Sequence, residues 1–78
     1  MNHENLLEKS LIVDYLKEFE DFCFGKTDAK SYYDRNFRRA EKLFEMFPEN
    51  PLYHLMQAAV LIRVGKKDEG EQILKKYE

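Results

Sequence analysis

The run from Pro48 to Gly65, PENPLYHLMQAAVLIRVG, limits this chain more than any other stretch. It carries a helix start signal, a stop signal and little polar interruption between them. Asn50 is a residue type favoured at a helix N-cap, where its side chain accepts from a free backbone N–H. Pro51 suits the first helical position, because its missing N–H has no partner there and its fixed φ is already helical. Gly65 stands where the chain must leave through positive φ, with Arg63 and Lys66 beside the negative end of the helix dipole. These signals predict one helix over residues 51–64. Apolar side chains cover so much of its circumference that it should pack on more than one side, as a helix inserted between neighbours does. It is too short and too interrupted to cross a membrane.

The flanking segments repeat this grammar. From about Asn5 to Phe24, Ile12, Tyr15, Leu16, Phe19, Phe22 and Cys23 follow the spacing of an amphipathic helix, with Leu7 and Leu11 extending the face upstream. Glu8, Lys9, Asp14, Lys17, Glu18 and Asp21 occupy the other side. Gly25-Lys-Thr-Asp28 ends this helix and starts the next, Gly25 as a left-handed C-cap and Thr27 or Asp28 as an N-cap. A connection this short predicts antiparallel neighbours. The second helix, about residues 29–47, reads as a buried stripe of Tyr33, Phe37, Ala40, Phe44 and Phe47, widened by Leu43 and Met46. Pro48 then stops it, because its ring clashes with the preceding turn. After Gly65, the turn Gly-Lys-Lys-Asp68 repeats the first one, and Asp68 or a neighbour opens a fourth helix over about residues 68–77 with Ile73, Leu74 and Tyr77 on its apolar face. Gly70 inside that helix costs up to about 1 kcal/mol relative to Ala, so a close approach to the third helix is the expected reason for it.

Two helical hairpins, long then short, make one all-α domain of 78 residues, whether stacked as an open pair or closed as a compact four-helix bundle. Apolar residues at 44% and charged ones at 36% fit a folded soluble chain rather than a disordered one. The formal charge of -2 gives no argument for nucleic acid or anionic membrane. Cys23 is the one cysteine, so neither an intrachain disulfide nor a multi-cysteine zinc site is possible, and a reducing cytoplasm is expected. The opening residues, MNHENLLEK, lack the basic and then apolar layout of a secretory leader.

The segment from Pro48 to Tyr77 resembles the tetratricopeptide repeat, a helix-turn-helix unit of about 34 residues. With Gly65 as the turn residue, Ala58 falls at the small position of the family's first helix, Leu61 at its large apolar position, and Gly70 at the small position of its second; Pro48 closes the preceding unit. His54 and Gln57 stand where the family has large apolar residues, and Asn36 where it has a small one. The resemblance implies protein or peptide binding on a concave face, with Leu55, Ala59, Ile62 and Arg63 lining it. From the sequence alone, Leu55, Ala59 and Ile62 read more readily as ordinary core. The Lys and Asn set with which some members hold a terminal carboxylate is missing from the matching positions. Two units do not make a stack by themselves, so the helices should close on each other or a second copy should cover the apolar surface.

Residues that carry chemistry are sparse. His3 and His54 form no i, i+4 pair, Ser10 and Ser31 lack the context of a nucleophile, and Cys23 beside Phe22 and Phe24 reads as a small inert hydrophobe. Gly25, Gly65 and Gly70 are isolated, so no phosphate-cradling loop is formed. No cofactor or metal is expected, and an enzyme is not. Arg35, Arg38, Arg39 and Lys42 lie on adjoining turns of the second helix and offer an alternative contact for phosphates of a nucleic acid. Asp34, Glu41 and Glu45 interleave with them, and the acids of the first helix can pair with them across the seam. The reading is a non-catalytic interaction or scaffolding module that takes a peptide, a partner helix or a second copy of itself on an apolar helical surface.

Overall fold

A computed structural model describes residues 3–78, so Met1 and Asn2, which open the segment read as leaderless, lie outside the described residues. Four helices follow in order: α1 (His3–Cys23), α2 (Ala29–Met46), α3 (Pro51–Arg63) and α4 (Lys67–Lys75). Among the described residues there is no strand. The all-α, four-helix architecture expected from the sequence is what the chain adopts. α1 begins about two residues earlier than periodicity indicates, and α4 ends about two residues earlier.

The turns explain the boundaries. Asp28 caps α2, its Oδ1 accepting from the Ser31 backbone N–H at 2.7 Å, so Asp28 rather than Thr27 is the N-cap. Asn50 caps α3 by accepting from Leu52 N–H at 3.0 Å, with Pro51 in the first turn. Gly25 and Gly65 take φ of 75° and 89°, the left-handed conformation that ends α1 and α3. In each turn the next lysine's N–H closes back on the helix, Lys26 on Asp21 O and Lys66 on Leu61 O. α4 starts at Lys67, the neighbour of Asp68. Lys66 occupies its N-cap without a side-chain bond, and Asp68 sits inside the first turn, where its charge still favours the helix dipole.

Each helix packs on the next, α1 on α2, α2 on α3 and α3 on α4. Pairs such as Tyr15 with Asn36 and Phe22 with Tyr32 run antiparallel across the first seam. The Cα envelope measures 38 × 32 × 15 Å. Its thin direction accommodates two layers of helices 8–10 Å apart. α1 also reaches α3, through long side chains: the Tyr15 hydroxyl donates to Met56 O at 3.1 Å, the Tyr53 hydroxyl donates to Glu8, and the Arg63 guanidinium lies 4.9 Å from the centre of the Phe19 ring. Burial pushes the Tyr15 hydroxyl well above the usual tyrosine range, and burial first, then the bond to Glu8, pushes Tyr53 up to about 12. α3 is therefore flanked by all three other helices.

Tyr15, Tyr32, Ala40, Leu43, Tyr53, Ala58, Val60 and Leu61 form the buried apolar set. Two expectations need correction. In α2 the innermost face is Tyr32, Asn36, Ala40 and Leu43; Tyr33, Phe37, Phe44 and Phe47 sit half-buried along its flank. Tyr33 and Phe37 pack against that core from the side and stack on each other, ring centres 5.2 Å apart. In α1, Leu7, Leu16 and Cys23 are exposed, because the helix presents to its neighbours the arc centred on Tyr15 and turns the rest outward.

Candidate functional site

α3 buries Tyr53, Gln57, Ala58, Val60 and Leu61 and leaves one arc open. Leu52, Ala59, Ile62 and Arg63 are exposed on that arc, and Leu55 and Met56 are half-buried at its edges. Of the residues that the resemblance places in a groove, Ala59 and Arg63 lie in the middle of the open arc. Ile62 stands on its α4 border, where it packs against Gly70. Leu52 belongs to the same arc although the family positions do not point to it. Its spacing, three residues before Leu55 and seven before Ala59, is the helical signal that would have found it. Phe19, legible in the sequence as part of the apolar face of the first helix but not as a partner of Arg63, supplies the ring beneath that guanidinium and orients a cation at one end of an otherwise apolar strip.

Two members of the basic stripe of α2 are paired by α1. Glu18 accepts from Arg35 Nε at 2.8 Å and Arg35 Nη2 at 2.9 Å in a bidentate pair, and from Arg39 Nη1 at 3.1 Å. Arg35 also reaches the Thr27 hydroxyl at 3.1 Å. The side-chain bond from Arg35 is the largest influence on the Glu18 carboxyl, pulling it from 4.5 to about 2 against the opposing effect of burial. Arg39 continues inward to Asn36 Oδ1 at 2.8 Å, while Asn36 Nδ2 donates to Tyr15 O at 3.0 Å. Asn36, the residue out of place by family pattern, is thus fully buried with both ends of its amide bonded. Arg38 and Lys42 remain exposed on the outer side of α2. Arg35 and Arg39 are thus paired with Glu18, while Arg38 and Lys42 lie on the same arc of α2 by helical register.

His54 lies between two rings. It stacks on Phe44 with centroids 4.4 Å apart and meets the Tyr77 ring edge-on at 5.5 Å, its Nδ1 2.5 Å from the Tyr77 hydroxyl. Burial, and then the nearby charge of Lys76, moves its pKa down. It thus ties α2 and the residues after α4 to α3. His3 and Cys23 are exposed near opposite ends of α1, far apart in sequence from His54. Among the described residues no cluster of three His, Cys, Asp or Glu side chains is arranged to hold a metal ion, and no helix is long and apolar enough to cross a membrane.

A family match spans residues 1–78, to DUF5717_N, described as a family of unknown function (DUF5717), N-terminal. The chain belongs to that family. No curated protein and no solved structure matches it.

Proposed function

We propose that this DUF5717 N-terminal domain is a non-catalytic protein-interaction module, a tetratricopeptide-like pair of helical hairpins that works in the cytoplasm and holds a peptide or partner helix along the open arc of α3. The observation that carries the reading is the state of α3. It is flanked by α1, α2 and α4, yet it keeps Leu52, Leu55, Ala59 and Ile62 in a strip that ends at Arg63. A strip of this kind fits the apolar anchors of an amphipathic helix at i, i+3, i+4 and i+7 spacing, with Arg63 and Phe19 meeting an acid at one end. The crossing of α3 and α4 supports the tetratricopeptide-like part. Ala58 and Gly70, assigned by resemblance to small positions, lie so close that a Cβ on Gly70 would stand 3.0 Å from the Ala58 carbonyl oxygen. The description of the family as an N-terminal one fits a module that works beside further chain.

The test is selection of helical peptides from a displayed library on the domain, followed by mapping of amide shifts in solution. Selected peptides are expected to share apolar anchors and an acidic residue, to perturb Leu52 to Arg63, and to lose binding to Ala59→Glu while that variant keeps its helix content. A selection that yields no binders, or binders whose contacts fall elsewhere and survive Ala59→Glu, overturns the reading.

A further inference from the structure

α1 carries a second apolar face that none of the other helices covers. Tyr15, Glu18 and Phe22 turn toward α2, and Glu8, Tyr15 and Phe19 toward α3. On the remaining arc Leu6, Val13, Leu16 and Phe24 are 51%, 48%, 57% and 74% exposed, four of the largest apolar exposures among the described residues. Phe24 still follows the helix, its N–H bonded to Glu20 O at 3.0 Å. Lys9 and Glu20 sit on the same arc, between the apolar residues, and both are exposed. By helical register Lys9, Val13, Leu16 and Glu20 lie within a narrow strip, with Leu6 and Phe24 together on one flank of it.

The order along that strip is self-complementary when read backwards. A two-fold axis set at the height midway between Asp14 and Tyr15 would bring the α1 helices of two copies together antiparallel. Val13 of each copy then meets Leu16 of the other, Lys9 meets Glu20, and Leu6 meets Phe24, since a two-fold of this kind brings like flanks together. Both ionic contacts join opposite charges, and every large exposed apolar residue of the strip gains an apolar partner.

We propose that the outward face of α1 is a homodimerisation surface, formed by an antiparallel pairing of two α1 helices in which Lys9 of each copy meets Glu20 of the other around a Val13–Leu16 centre. The proposal concerns residues of α1 rather than the α3 strip and does not rest on the reading of that strip.

The test is sedimentation equilibrium of the whole chain over a broad concentration range, with circular dichroism as the check on folding. The wild type is expected to associate to a dimer and no further. Leu16→Glu, placed on an exposed position, should keep the helix content and sediment as a monomer. The charge variants decide the pairing. Lys9→Glu and Glu20→Lys each place like charges together twice in a homodimer, so each alone should weaken association by at least tenfold. An equimolar mixture of the two single variants restores opposite charges at both contacts and should dimerise as the wild type does, as should the double variant K9E/E20K. A wild type that stays monomeric throughout overturns the proposal. So does a dimer that both single variants leave unchanged, or a mixture that fails to recover. Peptide binding at α3 is read separately and is expected to survive Leu16→Glu, so failure of one reading does not disguise failure of the other.

Discussion

Glu18 joins more of the molecule than any other side chain on the α1–α2 seam. Its carboxylate holds Arg35 by two parallel bonds and Arg39 by a third, and Arg39 passes the order on to Asn36 and so to the backbone of α1. Such charge-assisted, bidentate bonds are stronger than neutral ones, though Arg35 is half in water and much of the attraction is screened. Because the folded-state pKa lies near 2 and the ordinary one near 4.5, the contribution of Glu18 is complete above about pH 4.5 and is lost as pH falls toward 2. Glu18→Gln should therefore lower stability at neutral pH by about 1–2 kcal/mol after discounting for solvent. Urea denaturation of the two proteins should show the gap narrowing between pH 4.5 and 2. A gap that keeps its size at pH 2 would mean that shape, not charge, accounts for the loss.

Among the elements, α4 depends on one missing atom. A Cβ on Gly70 would come within 2.6 Å of Ile62 Cγ1 and 3.0 Å of Ala58 O, so its absence sets how near α4 lies to α3. Gly70→Ala gains up to about 1 kcal/mol in helix propensity but forces the helices apart, and overpacking of this kind costs about 1–3 kcal/mol. A net loss is expected in thermal or urea melts, smaller when measured in an Ile62→Ala background, where the tightest contact has been removed. If Gly70→Ala raises the melting temperature, the two helices are not held at this distance by packing. The sequence announced that glycine because an interior Gly conflicts with local propensity. It announced the turns too, since Gly25, Asp28, Asn50, Pro51 and Gly65 act through their own backbone. Which face of α1 and α2 turns inward was less legible. Tyr32 and Tyr33 offer similar bulk to either rotation, and what favours Tyr32 with Asn36 is an amide reaching the Tyr15 carbonyl, a contact between residues 21 apart in the chain. α1 is apolar on two arcs, and only the direction of approach of α2 and α3 separates the inner arc from the outer one. The open strip of α3 was half visible: Ala59 and Arg63 came from resemblance, while Leu52 needed the buried side of the helix to be known first.

At the scale of the whole molecule, contacts pass from each helix to the next, with α1 and α3 joined in addition by the Tyr15, Tyr53 and Arg63 side chains. The body of α4 packs on α3, while at its ends Lys66, its N-cap, lies over the Tyr33 ring of α2 and Tyr77, which follows it, meets His54 of α3. In such a serial arrangement stability is nearly a sum of neighbour terms, and the end held on one side opens most easily. Hydrogen exchange should accordingly show the amides of Gly70 to Lys75 exchanging through a local opening, well before those of Ala40 to Leu43 and Val60 to Leu61, which await global unfolding. His54 supplies a handle on the same event. Its folded-state pKa is lowered by burial and by Lys76, so the unfolded form binds the proton more readily, and attachment of α4 should weaken as pH falls through about 6.5. His54→Phe retains the stack on Phe44 and removes the titration. In that variant the exchange of α4, relative to that of α3, should lose its dependence on pH between 7.5 and 5.5. If instead α3 and α4 exchange together at every pH, the four helices unfold as one unit, and the coupling that α1 and α3 gain from their long side chains extends to the end of the chain.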